Sequence, residues 1–186
     1  MKRILMTGSR DWTDAQVSAD ALNATLALLG VSAAEAILVH GGAAGADQLL
    51  AQTAQQHGIA TEGHPAEWGV HTSRCPAWHH GLDVCKLAGH RRNDAMIAAG
   101  AEACLAFPTH GYHLAEGEDR ARTSRGTWDC AEKAMKAGIP TLVVWGKDLY
   151  PFGDLGAEVL RRRAVERDLT LGGAGQLPIL ETWLPF

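Results

Sequence analysis

The chain predicts an α/β domain with a doubly wound, mostly parallel sheet flanked by helices, and three observations predict it. Short apolar runs such as Arg3-Ile4-Leu5-Met6, Ala36-Ile37-Leu38-Val39 and Thr141-Leu142-Val143-Val144-Trp145 are continuous rather than alternating. That is the pattern of strands covered on both faces. Segments with a helical apolar stripe lie between them, and strand–helix alternation makes the sheet parallel. Glycines at Gly30, Gly58 and Gly138 then end the helices in the left-handed cap position.

Taken in order, the first strand runs into Thr7-Gly8-Ser9-Arg10-Asp11, a turn of small polar residues. Thr13-Asp14-Ala15-Gln16 has capping-box form, and Ala19, Leu22, Leu26 and Leu29 supply the stripe of the first helix. The second strand, Ala36 to Val39, breaks into His40-Gly41-Gly42-Ala43-Ala44-Gly45-Ala46-Asp47 before a helix that turns Leu49, Leu50, Thr53 and Ala54 to the core. A third strand follows from Ile59 towards His64. Asn93 is placed to cap a helix running to Ala99, with Arg91 and Arg92 just before it. The strand Ala103 to Phe107 leads into a charged loop, Pro108 to Thr123, carrying Glu116, Glu118, Asp119, Arg120 and Arg122. Ser124-Arg125-Gly126-Thr127-Trp128-Asp129 opens the next helix, with Trp128, Ala131 and Met135 on one face. The domain is expected over residues 1–146, with a Cys/His-rich insertion at 68–91. Residues 147–186 form a C-terminal extension with a basic helical segment, Ala157 to Arg167, and an apolar end, Leu177 to Phe186. Such an end packs on its own domain or on a second subunit, so a homo-oligomer is expected.

Composition narrows the function classes. The 186 residues carry a formal net charge of −4, which argues against general affinity for nucleic acid. No apolar window has the length of a membrane span, and Met1-Lys2-Arg3 enters a strand rather than a signal-peptide core, so a cytoplasmic protein is expected. Four cysteines in a chain of this size do not make a disulfide framework. In a reducing compartment they point to metal or to plain burial.

The glycine-rich turns carry the chemistry. Gly41-Gly42-x-x-Gly45 is neither the dinucleotide fingerprint nor a Walker loop, yet side-chain-free backbone at a helix start lets an anion approach the N–H groups. Thr7, Gly8, Ser9 and Arg10 offer hydroxyls, an amide and a planar fork to a phosphate. Arg92 and Asn93, and then Ser124, Arg125, Gly126 and Thr127, offer a third and a fourth such group. With Gly41, Gly42, Ala43, Gly45 and Asp47 these are the candidate ligand-binding residues. Each turn also has a plain reading as a cap or a solvated pair. In the insertion, His71, Cys75, His79, His80, Cys85 and His90 fall within twenty residues. His71, Cys75, His80 and Cys85 are the candidate ligands of a structural zinc, set against cysteines that simply pack.

The four loops, in order and spacing, resemble the YspA-like branch of the SLOG superfamily over about the first 145 residues. The resemblance implies a Rossmann-like fold and a nucleotide or nucleotide-derived ligand lying across the loops. The superfamily includes the Lonely Guy phosphoribohydrolases and the DNA-processing protein DprA. The hydrolases carry Pro-Gly-Gly-x-Gly-Thr-x-x-Glu; here Gly126 and Thr127 match, but Cys130 stands at the glutamate position and Asp129 is one residue early. Arg92 matches the arginine of the hydrolases' Arg-Lys-x-x-Met. Three functions are therefore weighed: a module that senses or sequesters a nucleotide, an N-glycosidase-type hydrolase, and a single-stranded DNA binder. If there is hydrolysis, Arg92 holds phosphate or ribose, and Asp129 or Asp47 supports an oxocarbenium-like transition state.

Overall fold

The computed structural model describes residues 1–111 and 124–161. Its elements are β1 (Lys2–Gly8), α1 (Ala15–Leu29), β2 (Ala36–His40), α2 (Ala46–Gln56), β3 (Ala60–Gly63), α3 (Ala88–Ala98), β4 (Ala103–Phe107), α4 (Arg125–Lys136), β5 (Thr141–Trp145) and β6 (Asp148–Phe152), with short 3₁₀ turns at Ala33–Glu35 and Ala77–His79. They build a six-stranded sheet in the order β3-β2-β1-β4-β5-β6. The first five strands are parallel, and β6 folds back antiparallel on β5.

Period-two alternation within the continuous strands decides which helix covers which face. Ile4, Met6, Leu38, Leu105 and Phe107 point to one side, where Leu22 and Leu26 of α1 and Leu50 and Ala54 of α2 close over them. Leu5, Val39 and Cys104 point to the other, against Met96 of α3 and Cys130 and Ala134 of α4. Both faces are therefore dry, as the unbroken apolar runs require. Gly30, Gly58 and Gly138 all take positive φ at their helix ends.

Four local expectations are corrected. The α1 cap is Asp14, whose carboxylate accepts from the Val17 amide at 2.9 Å, so no capping box forms at Thr13 to Gln16. A carboxylate at a helix start gains from the dipole as well as from the hydrogen bond. In α1 the buried stripe is Val17, Ala21, Leu22 and Leu26, with Ala19 and Leu29 only partly covered. In α2 it is Leu50, Thr53 and Ala54, with Leu49 likewise half-buried. Asn93 caps nothing: α3 begins at Ala88, and Asn93 is buried within it. The extra turn is held by Ala88, which packs with Cys75 and Cys85, a tertiary contact without local signal. The insertion read as 68–91 thus ends in the first turn of α3.

β6 was not expected. It carries Pro151 on an edge strand, where a missing N–H interrupts no further ladder. Residues 154–161 are helical, in keeping with the start of the basic segment. Glu116, Glu118, Asp119, Arg120 and Arg122, the arginines beyond Arg161, and the apolar end from Leu177 lie outside the described residues.

A bidentate bridge reaches across β2 from the central strand β1 to the edge strand β3. Arg3 on β1 donates to both oxygens of Glu62 on β3 at 2.7 and 2.9 Å, and its Nε donates to the Gly100 carbonyl at 3.0 Å. These Arg3 bonds, with that of His64, hold the Glu62 carboxyl down to about 2, below its ordinary 4.5. A depressed carboxyl contributes stability above its unfolded-state value and loses it as the folded group protonates. Glu62→Gln should therefore be less stable than the parent at pH 7, and the gap should close between pH 4.5 and about 2 in urea unfolding curves.

Gly45 should be the least replaceable turn residue. It sits at φ 78°, and an added Cβ would stand 2.2 Å from the Arg10 carbonyl oxygen. The backbone strain alone is about 1–3 kcal/mol, and the clash adds to it. Gly42, at φ 67° with open space around it, should cost only about 1–2 kcal/mol as alanine. Thermal melts of the two variants check the ranking.

Candidate functional site

The carboxyl ends of the parallel strands share one edge, and the crossovers leave β1 and β4 in opposite directions. An open sheet presents its crevice at such a switch point. The turns after β1, β2 and β4 border it and are bonded to one another. Ser9 donates its amide to the Phe107 carbonyl at 2.9 Å, and Ala46 donates to the Ser9 carbonyl at 3.0 Å. β1 and α2 approach so closely that a Cβ on Gly8 would stand 2.2 Å from that of Ala46.

The crevice is a cavity of about 430 Å³ lined by Thr7, Gly8, Ser9, Arg10, Ala43, Asp47, Arg92, Asn93, Ser124, Gly126 and Thr127 from the expected loops. Gly41, Gly42, Gly45 and Arg125 do not line it. Gly41 lies under the Arg92 guanidinium, where a Cβ would fall 1.2 Å from a guanidinium nitrogen. Gly45 lies against Arg10, and Gly42 and Arg125 face outward. Trp68, Lys86, Gly89 and His90 also line the cavity and were not expected there. They come from the irregular segment and the first turn of α3, which tertiary folding lays across the edge. The side chains of Arg10, Lys86 and Arg92 bring positive charge against the carboxylates of Asp11 and Asp47.

Asp47 is the most constrained polar group. It is 4% exposed, in the first turn of α2, and its Oδ2 accepts from the Ala43 amide at 3.1 Å. The Gly41 amide also bonds it, and Arg92 stands 3.8 Å away. The glycine loop thus turns two of its amides to its own carboxylate. Burial raises the Asp47 pKa, opposed by the Ala43 amide and Arg92. Burial likewise lowers that of His40, whose Nδ1 accepts from the Gly42 amide at 3.2 Å.

The start of α4 is different. Ser124 stands at its cap position without bonding a helix amide, and its Oγ accepts from the Thr109 amide at 2.9 Å instead. Gly126 and Thr127 face the cavity, with open space at the Gly126 Cα. Asp129 does not line the cavity: it pairs with His90, which does, at 3.0 Å and with Lys133 at 3.2 Å. Cys130, at the position of the hydrolases' glutamate, is fully buried, and burial pushes its thiol up to about 12.

In the irregular segment, ligand atoms of His71, Cys75 and Cys85 lie within 4.8 Å of one another. His80 is not in this group: it follows the 3₁₀ turn, exposed, with its ring tilted 37° to that of His71 at a centroid distance of 5.6 Å. No helix among the described residues is long and apolar enough to cross a membrane.

Comparison with known proteins supports the same frame. The YspA, cpYpsA-related SLOG family matches residues 2–71. The Gene 61 protein of Mycobacterium phage D29 is 37% identical over 147 residues, covering 76% of this chain and 95% of the phage protein. DNA processing protein A (DprA) from Streptococcus pneumoniae aligns with a TM-score of 0.50 at 17% identity, over 89% of this chain. The match spans just over half of that structure, 56% of its length, and at such identity it speaks for the fold alone. DprA from Helicobacter pylori, a single-stranded DNA binder, aligns at 18% identity with a TM-score of 0.48, over 92% of this chain and 80% of its own. On the phage relative, matched over nearly its whole length, and on the first three strands, this chain belongs to the YspA, cpYpsA-related SLOG family.

Proposed function

We propose that the cavity binds a nucleotide or a nucleotide-derived ligand, with its phosphate at the start of α4 and its sugar towards Asp47. The observation that carries this reading is the convergence of three turns at the β1/β4 switch point, two of which open a helix without a side-chain cap. A helix N-terminus with small residues is an anion site. The Gly126 and Thr127 amides and the Thr127 hydroxyl supply donors there, and Arg92 adds a cation from the facing helix. The glycine loop before α2 has a different role, because Asp47 already occupies its Ala43 and Gly41 amides as an internal acceptor. A buried carboxylate beside a phosphate site is suited to accept bonds from sugar hydroxyls.

The binding reading is favoured over hydrolysis by the α4 side chains. The hydrolases' glutamate is replaced by a protonated, buried thiol, and Asp129 is turned towards His90 and Lys133. Titration calorimetry with nucleoside monophosphates and ADP-ribose derivatives tests it. Arg92→Ala should weaken binding by about tenfold or more, the worth of a charge-assisted hydrogen bond, whereas Asp129→Asn should leave it unchanged. Base or ribose phosphate released by the parent and lost in Asp47→Asn would replace this reading with a hydrolase. Tight binding of a single-stranded oligonucleotide with steep salt dependence would replace it with a nucleic-acid binder.

A further inference from the structure

Residues 64–87 hold no helix or strand beyond one 3₁₀ turn, and they leave Val70, Trp78 and Val84 exposed. A segment that long with so little apolar burial needs another source of order. At its centre the Sγ atoms of Cys75 and Cys85 are 3.5 Å apart. Two sulfurs at about 2.3 Å from a tetrahedral zinc stand about 3.8 Å apart, whereas a disulfide needs about 2.05 Å.

His71 completes the arrangement. Its Nε2–H donates to the Leu82 carbonyl at 2.9 Å, which leaves the lone pair on Nδ1. That Nδ1 is buried without a hydrogen-bond partner among the described residues, and His71 belongs to the same cluster as the two thiols. A histidine held by a backbone carbonyl through one nitrogen and unpaired at the other has the form of a metal ligand with its outer partner in place. Donors suited to thiolate charge also surround the sulfurs. The Thr72 amide lies 3.4 Å from Cys75 Sγ, and Arg91 Nη1 lies 3.2 Å from Cys85 Sγ and 3.7 Å from Cys75 Sγ.

We propose that His71, Cys75 and Cys85 bind one zinc ion, with the fourth position taken by water or another small donor. On binding, each thiol releases its proton to solvent, so Zn²⁺ with two thiolates and a neutral imidazole forms a neutral centre. The centre staples the segment to α3 through Arg91, whose Nη2 also donates to the Val70 carbonyl at 2.6 Å. It also fixes the cavity wall, because the Cys85 amide donates to the Trp68 carbonyl at 2.6 Å. The ligand set differs from the sequence expectation in leaving His80 out.

The test needs no nucleotide, so its failure would leave the binding reading of the cavity untouched. The full chain is purified anaerobically with reductant and without chelator, its zinc is measured by elemental mass spectrometry, and cobalt is titrated into the stripped protein. One metal ion per chain is expected. Bound cobalt should show the d–d bands of a tetrahedral centre and an ultraviolet charge-transfer band from two thiolates. Cys85→Ser should lower metal affinity by at least about tenfold and weaken that band, while His80→Ala should retain both. Wild-type protein that takes up neither metal overturns the proposal, whether or not the variants fold. So does a Cys75–Cys85 disulfide in the anaerobic preparation, or an unchanged cobalt spectrum in Cys85→Ser.

Discussion

Everything at the sheet edge depends on how closely β1 is allowed to approach α2. Gly8 lies against Ala46, Gly45 lies against the Arg10 backbone, and the Ala46 amide bonds to the Ser9 carbonyl. No side chain separates the two turns, so they behave as one rigid surface rather than as two loops. The β4 end joins it through the Ser9 amide. Packing this tight has no slack, which is why one methyl group at Gly45 acts on the site as well as on stability.

The electrostatics follow from that geometry. Bringing α2 so near the crevice places its positive end in a dry environment, and Asp47 answers it from within the same turn. A buried carboxylate then needs a counter-charge, which Arg92 supplies from α3 by lying over Gly41. The amides of the glycine loop before α2 are thereby taken up by the protein's own carboxylate. Among the described residues the start of α4 has no such carboxylate lining the cavity, and Asp129 is engaged by His90 and Lys133.

This division of labour separates the chain from the hydrolase members it resembles. Cys130 takes the glutamate's place and turns into the core beside Cys104 and Ala134. A charge there would have to be buried, and burial keeps the thiol protonated, so the position contributes to packing. Arg92 keeps its place in the motif, but it serves Asp47 as well as the cavity. The glycine-rich turns are kept while the carboxylate position is given up to the core.

Much of the architecture was legible in residues 1–145. Continuous apolar strands, helical stripes and glycine stops are local consequences of burial on both faces and of backbone sterics, and they placed five parallel strands and four helices. The glycine-rich turns were legible for the same reason, because glycine where a backbone must come close is written into the sequence itself. Contacts between distant segments were not legible. Ala88 lengthens α3 by packing on Cys75 and Cys85, Trp68 and Lys86 reach the cavity through an irregular segment, and Asp47 takes the amides expected to face a ligand. The sequence by itself determined the strand–helix alternation, both sheet faces and the glycine turns, since these answer to local sterics and periodicity. Only the tertiary structure decided which turns line the cavity, which histidine joins the thiols and which groups engage Asp129, because each depends on what a remote part of the chain brings within a few ångströms.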